Sequence, residues 1–313
     1  MADRSVQPGL QAGGVSRTFA LRRVLEAHLA WLAQRPDGVQ ADFSGATLSE
    51  APLEGVNLSR AIFRSTSMIQ ADLTGADLTG ATFEGSDLRQ ASLSRADLAG
   101  ATFADCDGSL CRMESANLSE TTLQSSVFRG AELGAARLLE ARIRECDFRG
   151  AVLTGASFHH SDVFDTSFGD ASMEGAVLYH ARMQLCRFVG VVATDANFGN
   201  ARLESCDFRG AVLSGSKFHR AELARCCLVR TLMAGCDLRE AKLTGVDLTG
   251  ASLVNALMDG AGLFAADLRG TDLRGARGMS ALQLSQSRTD EDTVLPNGGK
   301  GPYLRGSGAE RPA

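Results

Sequence analysis

The sequence predicts an all-β solenoid of square cross-section, a parallel β-helix of about twelve coils behind an N-terminal helical cap. Three observations predict it. First, the chain repeats every five residues from position 43 to 273 without an insertion or deletion, and of the 47 central positions all but Gly108, Ile143, Val163 and Ala193 are Leu, Phe or Met. Second, the residue two before each centre is always Ala, Ser, Thr, Cys or Val. Third, phenylalanines recur at intervals of 20: Phe43, Phe63, Phe83 and Phe103, then Phe128, Phe148, Phe168, Phe188 and Phe208. A period of five matches neither the 3.6 of a helix nor the 2.0 of a flat strand.

Each unit supplies two inward residues flanking one outward residue, which is strand alternation, and two more that turn a corner. Of the 34 glycines, 19 stand two residues after a centre, where a turn favours a residue that reaches positive φ without steric cost. Twenty residues are four pentapeptides, so a four-sided coil stacks each phenylalanine series in one ladder, with adjacent coils about 4.8 Å apart as parallel strands. The 47 units make nearly twelve coils, a rigid rod. The ladder changes side near Gly108, and Leu110 and Cys111 predict a local irregularity there; the segment around Val189, Gly190 and Ala193 reads as a second weak point. The narrow interior requires the second inward residue to be small, so a leucine at Ala151 would overpack the column.

The unit is cleanest in Ala71-Asp72-Leu73-Thr74-Gly75-Ala76-Asp77-Leu78-Thr79-Gly80. It resembles the A(D/N)LXX repeat of the pentapeptide-repeat family, over residues 41 to 276. The resemblance implies a right-handed quadrilateral β-helix; the handedness comes from the family rather than from the spacing.

Around this core the organisation reads as a disordered N-terminus at 1–15, a helical cap at 16–40, the β-helix at 41–276, a closing segment at 277–296 and a disordered, Gly- and Pro-rich tail at 297–313. A helix over 18–34 carries Leu21, Val24, Leu25, His28, Leu29, Trp31 and Leu32 as a stripe, with Ser16 or Thr18 as N-cap. Trp31 should pack on the first coil, and His28 reads as a packing residue rather than a ligand. Positions 25–32 resemble a helical lead-in of bacterial pentapeptide-repeat proteins. A solenoid exposes unpaired edges at its ends and needs such caps. Met279 and the residues to Leu284 could form one closing helical turn.

Composition limits the chemistry. No apolar run spans a membrane and the first residues lack an apolar signal core, so a cytoplasmic location is expected. Seven of the eight cysteines (Cys106, Cys111, Cys146, Cys186, Cys206, Cys226 and Cys236, but not Cys227) occupy the small inward position, so they read as core residues. No CxxC pair accompanies them, and no metal or cofactor site is expected. His160 and His180 should stack on one outer wall, and His159 and His219 share another column. A filled square shaft offers no cleft for catalytic groups to converge in, so no catalytic residue is assigned and the chain reads as no enzyme.

Charge adds one alternative. The whole chain carries −5, and its ends carry about +2 and +1, which leaves the repeats near −8. Aspartates recur before the centre, as at Asp72, Asp77, Asp87, Asp97, Asp207, Asp237, Asp247 and Asp267. Direct nucleic-acid binding is not expected of such a surface. The principal reading is a non-enzymatic interaction scaffold for an unidentified protein partner. Its contact strip is formed by the outward apolar residues Val189, Val192, Val229, Leu232, Val254, Leu257 and Phe264. The alternative, implied by resemblance to quinolone-resistance members of the family, is a DNA-mimic modulator of a type II topoisomerase that protects gyrase. Arginines at 129, 149, 209 and 269 dilute the acidic field, and the same aspartates suit a solvated, turn-adjacent position. Those relatives dimerise through an apolar C-terminal cap, whereas this tail is polar; a homodimer through a solenoid end stays open.

Overall fold

The computed structural model describes residues 15–312. The expected disorder of residues 1–15 falls, save for Val15, outside the described residues. These divide into two compact units, Met1–Asp147 and Phe148–Ala313.

The first unit opens with helix α1, Val15–Leu32. It starts earlier than the expected 18–34, so Ser16 and Thr18 lie inside it rather than capping it. It ends where Gln34 turns to φ 56° and the Arg35 N–H bonds back to the Ala30 carbonyl at 2.9 Å, a left-handed C-terminal stop. The chain then doubles back so closely that a Cβ on Gly38 would lie 2.2 Å from the Trp31 nitrogen. Leu21, His28 and Ala30 are buried, but Leu29, counted in the apolar stripe, is 51% exposed. His28 Nδ1 accepts the Ala41 N–H at 3.0 Å, joining the helix to the start of the repeats. Its ring stacks on Trp31 with centroids 5.5 Å apart, which leaves Trp31 half-buried.

From residue 41 the chain coils with a rise of 20 residues. The Phe43 N–H reaches the Ile62 carbonyl, the Ile62 N–H reaches Ala41, and the Ala46 N–H returns to the Phe43 carbonyl to close the corner. In the first unit the strands are β1 (Ile62–Arg64), β2 (Thr82–Glu84), β3 (Thr102–Ala104), β4 (Thr122–Gln124) and β5 (Arg142–Arg144), paired parallel in 20-residue register. The second unit carries β6 (Asp162–Phe164), β7 (Arg182–Gln184) and β8 (Arg202–Glu204) in the same register. All eight lie on one side of the coil; the other sides touch through isolated parallel bridges. This parallel β-solenoid with an N-terminal helix is the predicted fold. Strand-paired structure amounts to about seven turns, so the figure of twelve coils is an overstatement. It arises because five-residue counting assigns a full rung wherever the period holds, including where only single bridges form.

Both inward positions are buried throughout, and twelve phenylalanines are among the largest fully buried side chains. In the first unit Phe43, Phe63, Phe83 and Phe103 stack with centroids 5.2, 4.7 and 4.5 Å apart. Phe128 meets Phe103 edge-on at 6.1 Å. A Cβ on Gly108 would lie 2.7 Å from the Phe128 ring, so the missing side chain makes room for the ladder to change sides. The backbone there is regular: Gly108 and Leu110 keep their hydrogen bonds to Val127 and Arg129, and no local irregularity exists. In the second unit Phe148, Phe168, Phe188 and Phe208 continue a stack at 5.5, 5.0 and 4.6 Å, and the ladder holds through Val192 and Ala193.

The second unit closes with helix α2, Ala281–Ser285, fixed by a capping box between Ser280 and Gln283. The Gln283 amide also donates to the Met258 and Ala261 carbonyls. The bridge spacing then lengthens from 20 to 21 and 22 residues, at Asp267 with Arg288 and Asp272 with Val294. The expected disordered tail is corrected over 297–312. Val294 and Lys300 form an antiparallel bridge, the Tyr303 N–H bonds to Thr289, and Ala309 is buried. Glycines at 298, 301, 306 and 308, all at positive φ, let this polar segment fold back in tight turns.

Candidate functional site

The corner position two residues after each centre adopts positive φ whether or not it is glycine: Gly75 has φ 65°, Leu185 57° and Asn200 54°. With every corner turning alike, side chains at the same place in successive coils form columns. Function must be sought in the outward columns, because the inward ones are filled.

The predicted contact strip divides among the sides of the second unit. Val192 and Leu232 lie in one column, completed by the bridges that join Val152, Ser172, Val192, Val212 and Leu232 in order. Val189 and Val229 occupy the corner before this column, and Val254 the corner after it. Leu257 bridges to Asp237 and Arg277 on the next side, and Phe264, 62% exposed, stands at a further corner. The single strip is therefore corrected to one apolar wall, without Leu257 and Phe264. A five-residue phase identifies what points outward but places residues on a common side only if they share a phase of 20. Leu232 is 50% exposed and Val152 40%. Val152 and Val212 were missed in the sequence, although their spacing of 20 from Val192 and Leu232 would have found them.

The aspartates before the centres are turn caps. Asp72 Oδ1 accepts the Thr74 N–H at 3.0 Å, and Asp77, Asp97 and Asp247 accept likewise from residues two further on. Where that later residue is arginine, its guanidinium also clamps the carboxylate, at 2.6–2.7 Å in Asp87–Arg89, Asp207–Arg209, Asp237–Arg239, Asp267–Arg269 and Asp272–Arg274. The Arg239 hydrogen bond holds the Asp237 carboxyl below its ordinary range, and Arg269 does the same to Asp267. Much of the acidic column is thus neutralised where it stands.

The cysteines do more than fill space. Cys186, Cys206 and Cys226 share a column and donate to the carbonyls of Val163, Met183 and Leu203, 23 residues earlier. Thr66 and Ser86 make the same bond in the first unit, to Phe43 and Phe63. Thiols and hydroxyls here satisfy carbonyls facing the interior. Burial pushes Cys106 and Cys146 up to about 11 and Cys236 to about 12, so they are poor nucleophiles. Among the described residues no group of three or more His, Cys, Asp or Glu could hold a metal. No helix is long and apolar enough to cross a membrane.

On the side opposite the apolar wall, the second unit gathers His159, His160, Tyr179 and His180. The His160 and His180 rings stack at 5.1 Å, and Tyr179 meets His180 edge-on at 4.4 Å. Gly199 lies beneath Tyr179, where a Cβ would come within 3.1 Å of the ring.

Columns of this kind follow from a repeat that matches the pentapeptide repeats in eight copies, over residues 41–80, 76–107, 111–150, 131–170, 171–210, 196–235 and 241–277. The chain belongs to the pentapeptide-repeat family. No curated protein matches it in sequence. Among solved structures it is similar to HetL from the cyanobacterium Nostoc sp. strain PCC 7120, described as involved in heterocyst differentiation regulation. The two are 24% identical over 77% of this chain and 94% of that one, with a TM-score of 0.34. QnrB1, a plasmid-mediated fluoroquinolone resistance protein, is 20% identical over 59% of this chain and 82% of its own, with a TM-score of 0.28. Rfr23 from the cyanobacterium Cyanothece 51142 is 33% identical over 33% of this chain and 63% of its own, with a TM-score of 0.18. These pentapeptide-repeat proteins share the solenoid, and no enzyme family is indicated.

Proposed function

We propose that this pentapeptide-repeat protein is a non-enzymatic interaction scaffold that presents the apolar wall of its second unit to a protein partner. One observation carries the reading: Val152, Val192, Val212 and Leu232 stack outward in a single column, and the equivalent column of the first unit is polar. The fold asks nothing of this position, so contiguous apolar surface there points to a partner's apolar face. Partner recovery on immobilised protein tests it. Val192→Asp with Leu232→Asp should abolish recovery of a partner that the parent and a Ser92→Asp control both retain, with circular dichroism unchanged. Equal recovery by the double variant would sink the proposal.

The clamped aspartates favour this scaffold over the DNA-mimic alternative. Mimicry of a duplex needs a continuous field of unpaired negative charge. Here at least five carboxylates are closed by an arginine two residues away.

A further inference from the structure

The strand side of the second unit carries an arrangement that neither the fold nor the apolar wall uses. Arg182 and Arg202 are direct cross-strand partners in β7 and β8. Like charges placed opposite one another in a sheet repel, and neighbouring carboxylates do little to relieve this pair. Glu222 is held by Lys242 at 2.7 Å and stands 3.9 Å from Arg202. Arg182 makes no ion pair among the described residues. The equivalent column of the first unit is neutral, with Thr82, Thr102 and Thr122 in register.

These guanidiniums line a groove of about 430 Å³ together with His160, His180, Asn200 and Arg220, with Asp162 and Glu222 at its edges. The volume falls within the range of small-molecule sites. Guanidinium forks and imidazole N–H groups are donors, and the Asn200 amide adds another. They reach the groove from two parallel columns, the corner column of His160, His180, Asn200 and Arg220 and the strand column of Arg182 and Arg202. A flat carboxylate satisfies one fork, whereas a tetrahedral phosphate dianion can accept from several directions at once. The groove is larger than a bare phosphate and leaves room for the organic part of an ester.

We propose that this groove binds a phosphate monoester, with Arg182 and Arg202 as its principal anchors. The dianion would sit between two cations that otherwise repel. The source is a free phosphate ester or a phosphorylated side chain of another protein; a polynucleotide is disfavoured by the negative charge of the repeats as a whole.

Calorimetry on the full-length protein at low salt distinguishes these, with inorganic phosphate, a phosphoserine peptide and its unphosphorylated form as probes. Both phosphate probes should bind, and Arg182→Gln with Arg202→Gln should weaken binding by about tenfold or more. The double variant's thermal midpoint should be no lower than the parent's, because the substitutions remove a repulsion. A phosphopeptide that binds tighter than inorganic phosphate supports a modified protein as the source; equal affinity supports a free ester. The proposal is overturned by any of four results: no binding of either phosphate probe, unchanged affinity in the double variant, equal binding of the unphosphorylated peptide, or a lowered midpoint.

Discussion

One column, read in the two units, shows what the fold demands and what it leaves free. In the first unit the outward bridge column reads Pro52, Asp72, Ser92, Arg112 and Glu132; in the second it reads Val152, Ser172, Val192, Val212 and Leu232. The inward neighbours do not change character. Ala71, Ala91 and Cys111 in the first unit answer to Ala171, Val191 and Ala211 in the second, all fully buried. The strand column differs in the same way, neutral threonines giving way to Arg182 and Arg202. Backbone hydrogen bonds and the buried ladder are indifferent to these outward side chains, so the differences bear on what each surface meets.

The largest expected effect tests that division within one strand. Ala151 is fully buried, while its neighbour Val152 is 40% exposed. Ala151→Leu forces three extra carbons into a filled column and should cost about 1–3 kcal/mol. Val152→Ser should stay within about 0.5 kcal/mol, as surface changes do. Urea melts of both variants provide the measurement. Similar losses in the two would break the distinction between inner and outer positions.

A smaller effect separates the units by pH. The buried His28 of the first unit accepts a hydrogen bond at Nδ1 and so must be neutral there. Burial lowers its pKa from the ordinary 6.5, against a weaker opposing influence from the Ser59 backbone. Below about 6.5 the unfolded chain therefore takes up a proton that the folded chain resists. Stability is complete above that pH and declines as pH falls towards the lowered folded value. The parent's melting temperature should drop between pH 7.5 and 5.5. His28→Asn, which retains an acceptor near the Ala41 N–H but cannot titrate, should flatten the profile. An unchanged slope in the variant would remove His28 as the cause.

The sequence made the interior legible because one constraint acts on every coil: two inward side chains, one large and one small, must fill a fixed width. Phe63 and Ala61 announce their places by period alone. What Gly108 does was not legible, since its role depends on the Phe128 ring one coil away. The bonds from Cys186 or Thr66 to carbonyls 23 residues earlier were hidden too, because five-residue counting sees only a small residue there. The contact strip was half legible: outwardness follows from the phase of five, whereas sharing a wall follows from the phase of 20. Leu257 and Phe264 failed on that second condition. The tail was misread because glycine and proline signal irregular structure equally well whether a segment is free or folded back in turns.

The smallest effect compares two aspartates at the same place in the pentapeptide, one in each unit. Asp77 caps its corner only through the Thr79 N–H, while Asp237 caps the Arg239 N–H and is also clamped by the Arg239 guanidinium at 2.7 Å. Asp77→Ala loses one turn bond, a cost of about 0.5 kcal/mol; Asp237→Ala loses the bond and the ion pair, about 1 kcal/mol. Asp237→Asn keeps an oxygen for the turn and gives up only the pair, so it should fall between them. Because Arg239 lowers the Asp237 pKa, the pair's contribution is present above the unfolded value near 3.8 and is lost as pH falls through the folded one. The parent and Asp237→Asn should therefore differ in urea midpoint at pH 7 and converge in acid. A difference that persists at low pH would mean that the clamp acts through packing of the Arg239 stem, and the neutralised acidic column would then owe its order to shape rather than charge.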